Sequence, residues 1–461
     1  MNNIRSSSKA LAVPASRIAR LTRLGAMTAG VAGNMAIGGI AELGQGRRPT
    51  ARNLLLNPAN VNRITNQLAQ MRGAAMKVGQ MMSMDAGEAL PPELADILAR
   101  LRADAHFMPP SQLKKVLNNN WDKGWLKAFK RFDVHPIAAA SIGQVHRAEL
   151  KDGRDMAIKI QYPGIARSID SDVANVGALI KVSGLLPPGF DMAPYLEEAC
   201  KQLHEETDYQ REGGCMAQFR ALLDGDARFV VPERYEDWTT TDILAMSFVA
   251  GDPIEAAAQA PQTTRDQIAH RLIDLVLTEL FTFGLMQTDP NFANYRYNAE
   301  TAQIVLLDFG ATREIDPEII GQYRRLLRAG LDNETARVTD IAAEIGFFAP
   351  DTPEPQRRQI IGMIETVFEE VRIAPEFDFG RTTLPARMQA AGMELAEQGF
   401  VPPPLPMDLL YLQRKFSGMF LLAARLRARV RVSDLLEAHL TRAGETAAAT
   451  EPRAEPPAAQ G

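Results

Sequence analysis

The chain has 461 residues, of which 46% are hydrophobic and 23% charged, the balance of an ordinary globular protein long enough for two or three domains. Its formal net charge of −5 gives no whole-chain reason to expect nucleic acid as a partner, and none is expected. Two cysteines, Cys200 and Cys215, are too few for a disulfide framework. The six scattered histidines lack ligand spacing, so no cysteine or histidine metal centre is expected.

Residues 1–23 carry Arg5, Lys9, Arg17, Arg20 and Arg23 and no acid, as an anion-seeking amphipathic segment or a transit-like peptide would. Residues 24–41 are uncharged and rich in glycine and alanine. They suit either membrane contact or a small-residue helix packed on protein. Helical patterning covers 58–130, interrupted at Pro91–Pro92 and Pro109–Pro110. A β-rich region follows: Val145–Leu150, a turn at Lys151-Asp152-Gly153, and a second strand from Met156. Helices are expected around 164–183 and 192–222, with short strands near Phe229–Val231 and Ile243–Phe248 completing a small sheet. From about 262 helices return, broken by a loop at 287–295 and a strand at Gln303–Leu307. Residues 444–461 have the Ala/Pro/Glu-rich composition of a disordered tail. Sheet first and helices second imply an α+β, two-lobed enzyme.

Four motifs occur in a telling order. Residues 138–145, AAASIGQV, follow the phosphate-covering pattern G-x-G-x-x-G-x-V with alanine at the first two glycine positions. A methyl group there narrows backbone freedom, so a stiffer loop is expected. Lys159 lies on the next strand, 14 residues beyond Val145. Asp289 to Asn294 reads D-x-x-x-x-N, and Asp308-Phe309-Gly310 ends an apolar strand 19 residues after Asp289. Together they match the protein-kinase signature set. The chemistry accounts for the residue types. A polyphosphate needs the fixed cation Lys159, Mg²⁺ needs oxygen ligands such as Asn294 and Asp308, and Asp289 can orient or deprotonate an acceptor. A half-buried lysine also needs an acidic partner, for which Glu205, Glu206, Asp208 and Glu212 are candidates. The same cluster could equally be a solvated acidic helix face.

These stretches, with RGAAMKVGQMMS (72–83), EETDYQRE (205–212) and LQRKFSGMF (412–420), resemble the UbiB family of aarF-domain atypical kinases. The likeness is greatest to the mitochondrial coenzyme Q branch and its bacterial relatives. The resemblance implies a two-lobed protein-kinase-like fold with an N-terminal helical extension that covers the active site. Its K-x-G-Q signature falls on Lys77, Gly79 and Gln80. Its E-x-D motif falls on Glu206 and Asp208, facing that extension and leaving Glu212 to pair with Lys159.

The implied nucleotide-binding residues are Ala138, Ala139, Ala140, Ser141, Ile142, Gly143, Gln144, Val145, Lys159, Glu206, Asp208 and Glu212. Asp289, Lys159 and Lys77 are the implied catalytic residues, and Asn294 and Asp308 the implied Mg²⁺ ligands. Expected segments are 1–50 (basic, then Gly/Ala-rich), 51–131 (helical extension), 132–252 (N-lobe with inserted helices), 253–443 (helical C-lobe) and 444–461 (tail). Gln287-Thr288 replaces His-Arg before Asp289 and no A-P-E follows Gly310, against phosphorylation of proteins. The implied function is ATP-dependent support of ubiquinone biosynthesis, by ATP hydrolysis or by phosphorylation of a lipid-like molecule. The other reading is a nucleotide-gated scaffold or lipid chaperone. Implied cofactors are ATP/ADP and Mg²⁺. Implied partners are a lipid or quinone precursor, a membrane surface and the ubiquinone-biosynthesis enzymes, with a homodimer among the possible assemblies. The implied location is the bacterial cytoplasm beside the inner membrane, or the mitochondrial matrix side.

Overall fold

The computed structural model describes residues 68, 71–85, 107–183, 191–373, 375–403 and 405–450. The basic segment, the Gly/Ala stretch, Pro91–Pro92 and residues 451–461 lie outside the described residues, as does the side chain of Gln80. Among the described residues no helix is long and apolar enough to cross a membrane. The chain folds as two compact units. One takes the described residues up to Ala221, 231–249 and 308–311; the other takes 222–230, 250–307 and 312 onward.

The first unit contains α1 (Arg72–Asp85), α2 (Pro110–Asn120), β1 (Phe129–Phe132), β2 (Ala138–Ala139), β3 (Gly143–Leu150) and β4 (Asp155–Gln161). Then come α3 (Ile169–Ser183), α4 (Ala193–Glu206) and α5 (Tyr209–Leu222). After lending β5 (Phe229–Val230) to the second unit, the chain returns as β6 (Ile243–Ser247). The sheet runs β1-β3-β4-β6, all antiparallel, with β2 also on β3. The predicted hairpin turns at Gly153, whose φ of +95° only glycine adopts without strain. Alternation along β4 sends Ile158 and Ile160 to one face and Lys159 to the other. The isoleucines join Met156, Leu117, Trp121 and Phe129 in a core closed by Trp238. Burying each such aliphatic side chain contributes roughly 1.5–3 kcal/mol.

Gly143 is needed for close approach rather than for positive φ. A Cβ there would lie 2.4 Å from the Ile160 carbonyl oxygen and 3.0 Å from the Tyr209 hydroxyl. Gly143→Ala is therefore expected to destabilise the chain by about 1–3 kcal/mol, read as a lower denaturant midpoint. An unchanged midpoint would show that the strands can part without cost.

Several expectations need correction. The sheet begins earlier than expected, because Phe129–Phe132 pairs with β3 instead of continuing a helix. Phe229–Val230 leaves this sheet and pairs in parallel with a strand of the second unit. The 164–183 helix starts only at Ile169, after a 3-10 turn at Ala166–Ser168. The 192–222 helix is two helices, because Asp208 accepts the N–H groups of Gln210 and Arg211 and so caps a new start. Residues 444–450, expected in the tail, continue the last helix, as their alanines favour.

The second unit begins with β5 and continues with β7 (Asp252–Pro253) and α6 (Gln262–Thr278). A π-helical turn at Glu279–Phe283 ends on Gly284, whose φ is +60°. Then come β8 (Leu285–Gln287), β9 (Tyr295–Asn298), β10 (Gln303–Leu306) and β11 (Thr312–Glu314). Their sheet runs β5-β10-β9-β7, and β11 pairs with β8. The expected 287–295 loop is thus shortened from both ends, since β8 reaches Gln287 and a 3-10 turn covers Phe292–Asn294. The remaining elements are α7 (Pro317–Leu331), α8 (Thr335–Ile345), α9 (Glu354–Ile373), β12 (Phe377–Asp378), α10 (Leu384–Glu397), α11 (Met407–Leu426), β13 (Arg429–Val430) and α12 (Val432–Thr450).

Candidate active site

In the first unit Lys159 sits at the centre of a buried charge cluster. Its Nζ donates to both carboxylate oxygens of Glu212, at 2.8 and 2.9 Å, and to Asp308 Oδ2 at 3.3 Å. Burial depresses a lysine, but the Asp308 and Glu212 carboxylates outweigh it and hold Lys159 well above its ordinary value. Burial pushes Glu212 up to about 7 in spite of Lys159. Asp308 moves the other way: burial opposes its charge, yet Lys159 and the Gly310 N–H hold it below the ordinary carboxylate value. The short hydrogen bonds and the raised lysine favour a charged Lys159–Glu212 pair.

Helix α5 grips the Asp308-Phe309-Gly310 segment at three points. Glu212 acts through Lys159, Arg211 donates to the Gly310 carbonyl at 2.8 Å, and Phe219 packs on Phe309 with ring centroids 5.1 Å apart. Phe309 is 1% exposed and so belongs to the core, while the Asp308 side chain keeps 37% of its surface open.

The acidic cluster is therefore not a uniform solvated face. Glu212 takes Lys159, Asp208 caps α5, and Glu206 forms an ion pair with Lys77 of α1. Lys77 is itself buried, and its charge also favours the ionised form of Asp308. Tyr209 places its ring 5.1 Å from the Lys159 ammonium. It opens α5 directly beside Asp208, but an aromatic residue at that position carries no motif by which the sequence would reveal it.

The loop residues divide by face. Ala138 and Ala139 pair with Val145 and Gln144, leaving Ser141 and Ile142 at the tip of a tight hairpin. Val145 is the cross-strand partner of Lys159, so their side chains share a face. Ile142 and Gln144 are interior instead. Gln144 accepts the Met108 N–H at 2.9 Å and bonds His146 Nε2 at 2.8 Å. Burial lowers His146 and keeps its ring neutral, with Nδ1 bonded to the Asp133 carbonyl. Gln144 can therefore serve a nucleotide only through its backbone. Gly73 of α1 lies against the tip, where a Cβ would come within 3.1 Å of Ile142 Cγ2.

In the second unit the Asn294 amide donates to the carbonyl and to Oδ2 of Asp289, both at 3.2 Å. Its nitrogen is thus used within the loop, leaving the amide oxygen as a hard donor of the kind Mg²⁺ takes. In the first unit, the ionised Asp308 carboxylate is likewise a hard oxygen donor of the kind Mg²⁺ takes.

Helix α11 braces this loop in a way sequence reasoning missed. Arg414 donates to Asp289 Oδ1 at 2.6 Å. Lys415, 1% exposed, donates to the carbonyl and side chain of Gln287 and to the Tyr295 hydroxyl. A Cβ at Gly418 would lie 2.2 Å from Pro290 Cβ, so only glycine permits that contact. The signal lay in the stretch LQRKFSGMF, which carries all three residues.

If Arg414 positions Asp289, Arg414→Ala should lower turnover about tenfold or more while nucleotide affinity stays within a factor of about two. Steady-state kinetics with direct binding measurements separate the two quantities. A rise in turnover would show that Arg414 masks the carboxylate instead. A separate cavity of about 650 Å³ in the same unit is lined by Arg228, Arg429 and Arg431. Each of these already pairs with a carboxylate, so the cavity offers no unpaired cation from this set.

Residues 100–342 match the ABC1 atypical kinase-like domain. Over 432 residues the chain is 39% identical to the mitochondrial atypical kinase COQ8 of Saccharomyces cerevisiae, covering 93% of this chain and 86% of that protein. It is 37% identical over 443 residues to mitochondrial COQ8 of Schizosaccharomyces pombe, covering 95% and 71%. It is also 37% identical over 425 residues to mitochondrial COQ8B of Danio rerio, covering 90% and 67%. Among solved structures, that of Rv3197 from Mycobacterium tuberculosis, determined with erythromycin, aligns with a TM-score of 0.58 at 23% identity. It covers 82% of this chain and 94% of that one, and shows a shared fold. The α+β kinase-like architecture, the matched domain and these relatives agree: the chain belongs to the UbiB (aarF-domain) family of ABC1 atypical kinases, whose function in ubiquinone biosynthesis the sequence resemblance implied.

Proposed function

We propose that this protein binds Mg-nucleotide and uses ATP in support of ubiquinone biosynthesis, as an ATPase or as a kinase for a lipid or quinone precursor. The observation that carries this reading is the buried Lys159, bonded at once to Glu212 and Asp308. A cation so placed is pre-set to meet phosphate oxygens, and two lysine-bound carboxylates hold it there. Asp308 and Asn294 would hold Mg²⁺, which neutralises charge developing on the transferred phosphoryl group when bound. Asp289 would receive the acceptor proton, oriented by Asn294 and Arg414.

Proteins are poor acceptors for such a site. Gln287 and Thr288, in place of His-Arg, are both buried, and Lys415 holds Gln287. The basic N-terminal segment supports work at a membrane face, in a bacterial cytoplasm or on the matrix side of a mitochondrial membrane.

One observation favours nucleotide-gated scaffolding without turnover: both Asp289 oxygens are occupied, one by Arg414 and one by Asn294. Phosphate release from Mg-ATP, with and without anionic vesicles, decides between the two. Turnover that rises with vesicles and vanishes in Asp308→Asn supports the enzyme. Background release in wild type and variant alike, with nucleotide still bound, supports the scaffold.

A further inference from the structure

Helices α3 and α4 run close and antiparallel. A Cβ on Gly177 of α3 would come within 2.6 Å of Leu196 of α4. About two turns away, Asp170 of α3 faces Cys200 and His204 of α4. The Cys200 thiol lies 3.0 Å from Asp170 Oδ1, and His204 Nε2 lies 2.9 Å from the same oxygen. All three donor atoms fall within 4.8 Å of one another, the sole such group of three among the described residues.

Cys200 and His204 are spaced i, i+4, which sets a thiol and an imidazole on one helix face, as paired histidines are set in helical zinc motifs. A thiolate, an imidazole and a carboxylate are a donor set that a tetrahedral d¹⁰ ion accepts and that Mg²⁺ does not favour. Three protein ligands leave the fourth position for water. We infer that Asp170, Cys200 and His204 form a Zn²⁺ site that ties α3 to α4.

The sequence conceals this site because the third ligand lies 30 residues from Cys200 and on another helix. Side-chain exposures of 79% for Asp170 and 48% for His204 leave the ion a direct path. On binding, the Cys200 proton passes to buffer and its sulfur becomes a ligand. His204 lies two residues before Glu206, the partner of Lys77, so the metal would brace the end of α4 that receives α1. This inference does not depend on ATP turnover.

The test uses the full reduced chain, stripped of metal and titrated with Zn²⁺ against a chromogenic chelator, then with Co²⁺. Expected are one equivalent of tightly held Zn²⁺ and, with Co²⁺, a near-ultraviolet thiolate-to-metal charge-transfer band. Cys200→Ser should abolish the band and His204→Ala should weaken Zn²⁺ by about 100-fold or more, whereas Cys215→Ser should keep both. Circular dichroism confirms that the variants fold, as a half-buried Cys200 and an exposed His204 allow. Zn²⁺ bound without a thiolate band, a band that survives Cys200→Ser, or no tight Zn²⁺ in the wild-type chain would each overturn the assignment. The charge-transfer band also separates this site from metal held by the carboxylates around Lys159.

Discussion

Replacing Lys159 by methionine is expected to weaken nucleotide binding by about 10–100-fold, the worth of a charge-assisted contact, and to abolish turnover. It should also destabilise the fold by about 3–5 kcal/mol, because Glu212 is left buried without its cation. Two further readouts separate these effects. A carboxyl raised from 4.5 to about 7 by burial loses native-state stability as pH rises through that window, since the folded chain must release a proton that it retains more strongly than the unfolded chain. Burial holds Glu212 at about 7 even with Lys159 beside it, so removing Lys159 raises the carboxyl further and carries the loss to higher pH. The melting temperature of Lys159→Met should therefore keep falling above pH about 7, where that of wild type levels off. Adding Glu212→Gln should flatten the slope and recover most of the stability without restoring binding. Nucleotide affinity near wild type in the double variant would remove Lys159 from the site.

Asp289→Asn should leave nucleotide affinity within about twofold and cut turnover by about 10²–10⁴, the usual reach of a positioned proton acceptor. Asparagine keeps the shape, its single carbonyl oxygen can still accept from Arg414, and the Asn294 amide still donates to the backbone carbonyl of position 289, so most of the loop geometry should persist. Equilibrium binding of a fluorescent nucleotide alongside phosphate release measures both quantities on one preparation. An equal loss in both would make Asp289 a binding or metal-ligating residue. Unchanged turnover would mean that no proton passes through it.

The hairpin and the polar anchor points were legible in the sequence, because turn chemistry and polyphosphate chemistry both impose residue types at short spacing. Gly153 marks its own turn, and Lys159 follows by strand alternation. Pairings set by distant chain were not legible. Phe229–Val230 reads as a strand, but only the register with Ile304 and Val305 shows which sheet it joins. The break at Asp208 could have been read from its capping side chain. Instead, a continuous polar pattern over 192–222 concealed it. Arg414 is an ordinary helical arginine until α11 is laid beside the Asp289 loop. The demand on Gly143 was not legible either, since it comes from the close approach of the Ile160 carbonyl on the neighbouring strand.

The contact between α1 and the tip of the alanine loop has a kinetic consequence. Gly73 meets Ile142 and, one turn on, Lys77 is bonded to Glu206. The loop is held from above by a neighbouring helix, so its stiffness is not set by its alanines alone. Raising the loop tip toward α1 therefore means displacing that helix and opening the buried Lys77–Glu206 pair. If the loop covers a nucleotide, as proposed above, the opening of α1 sets how fast that nucleotide can enter and leave. A membrane or protein partner that draws α1 away would behave as an exchange factor.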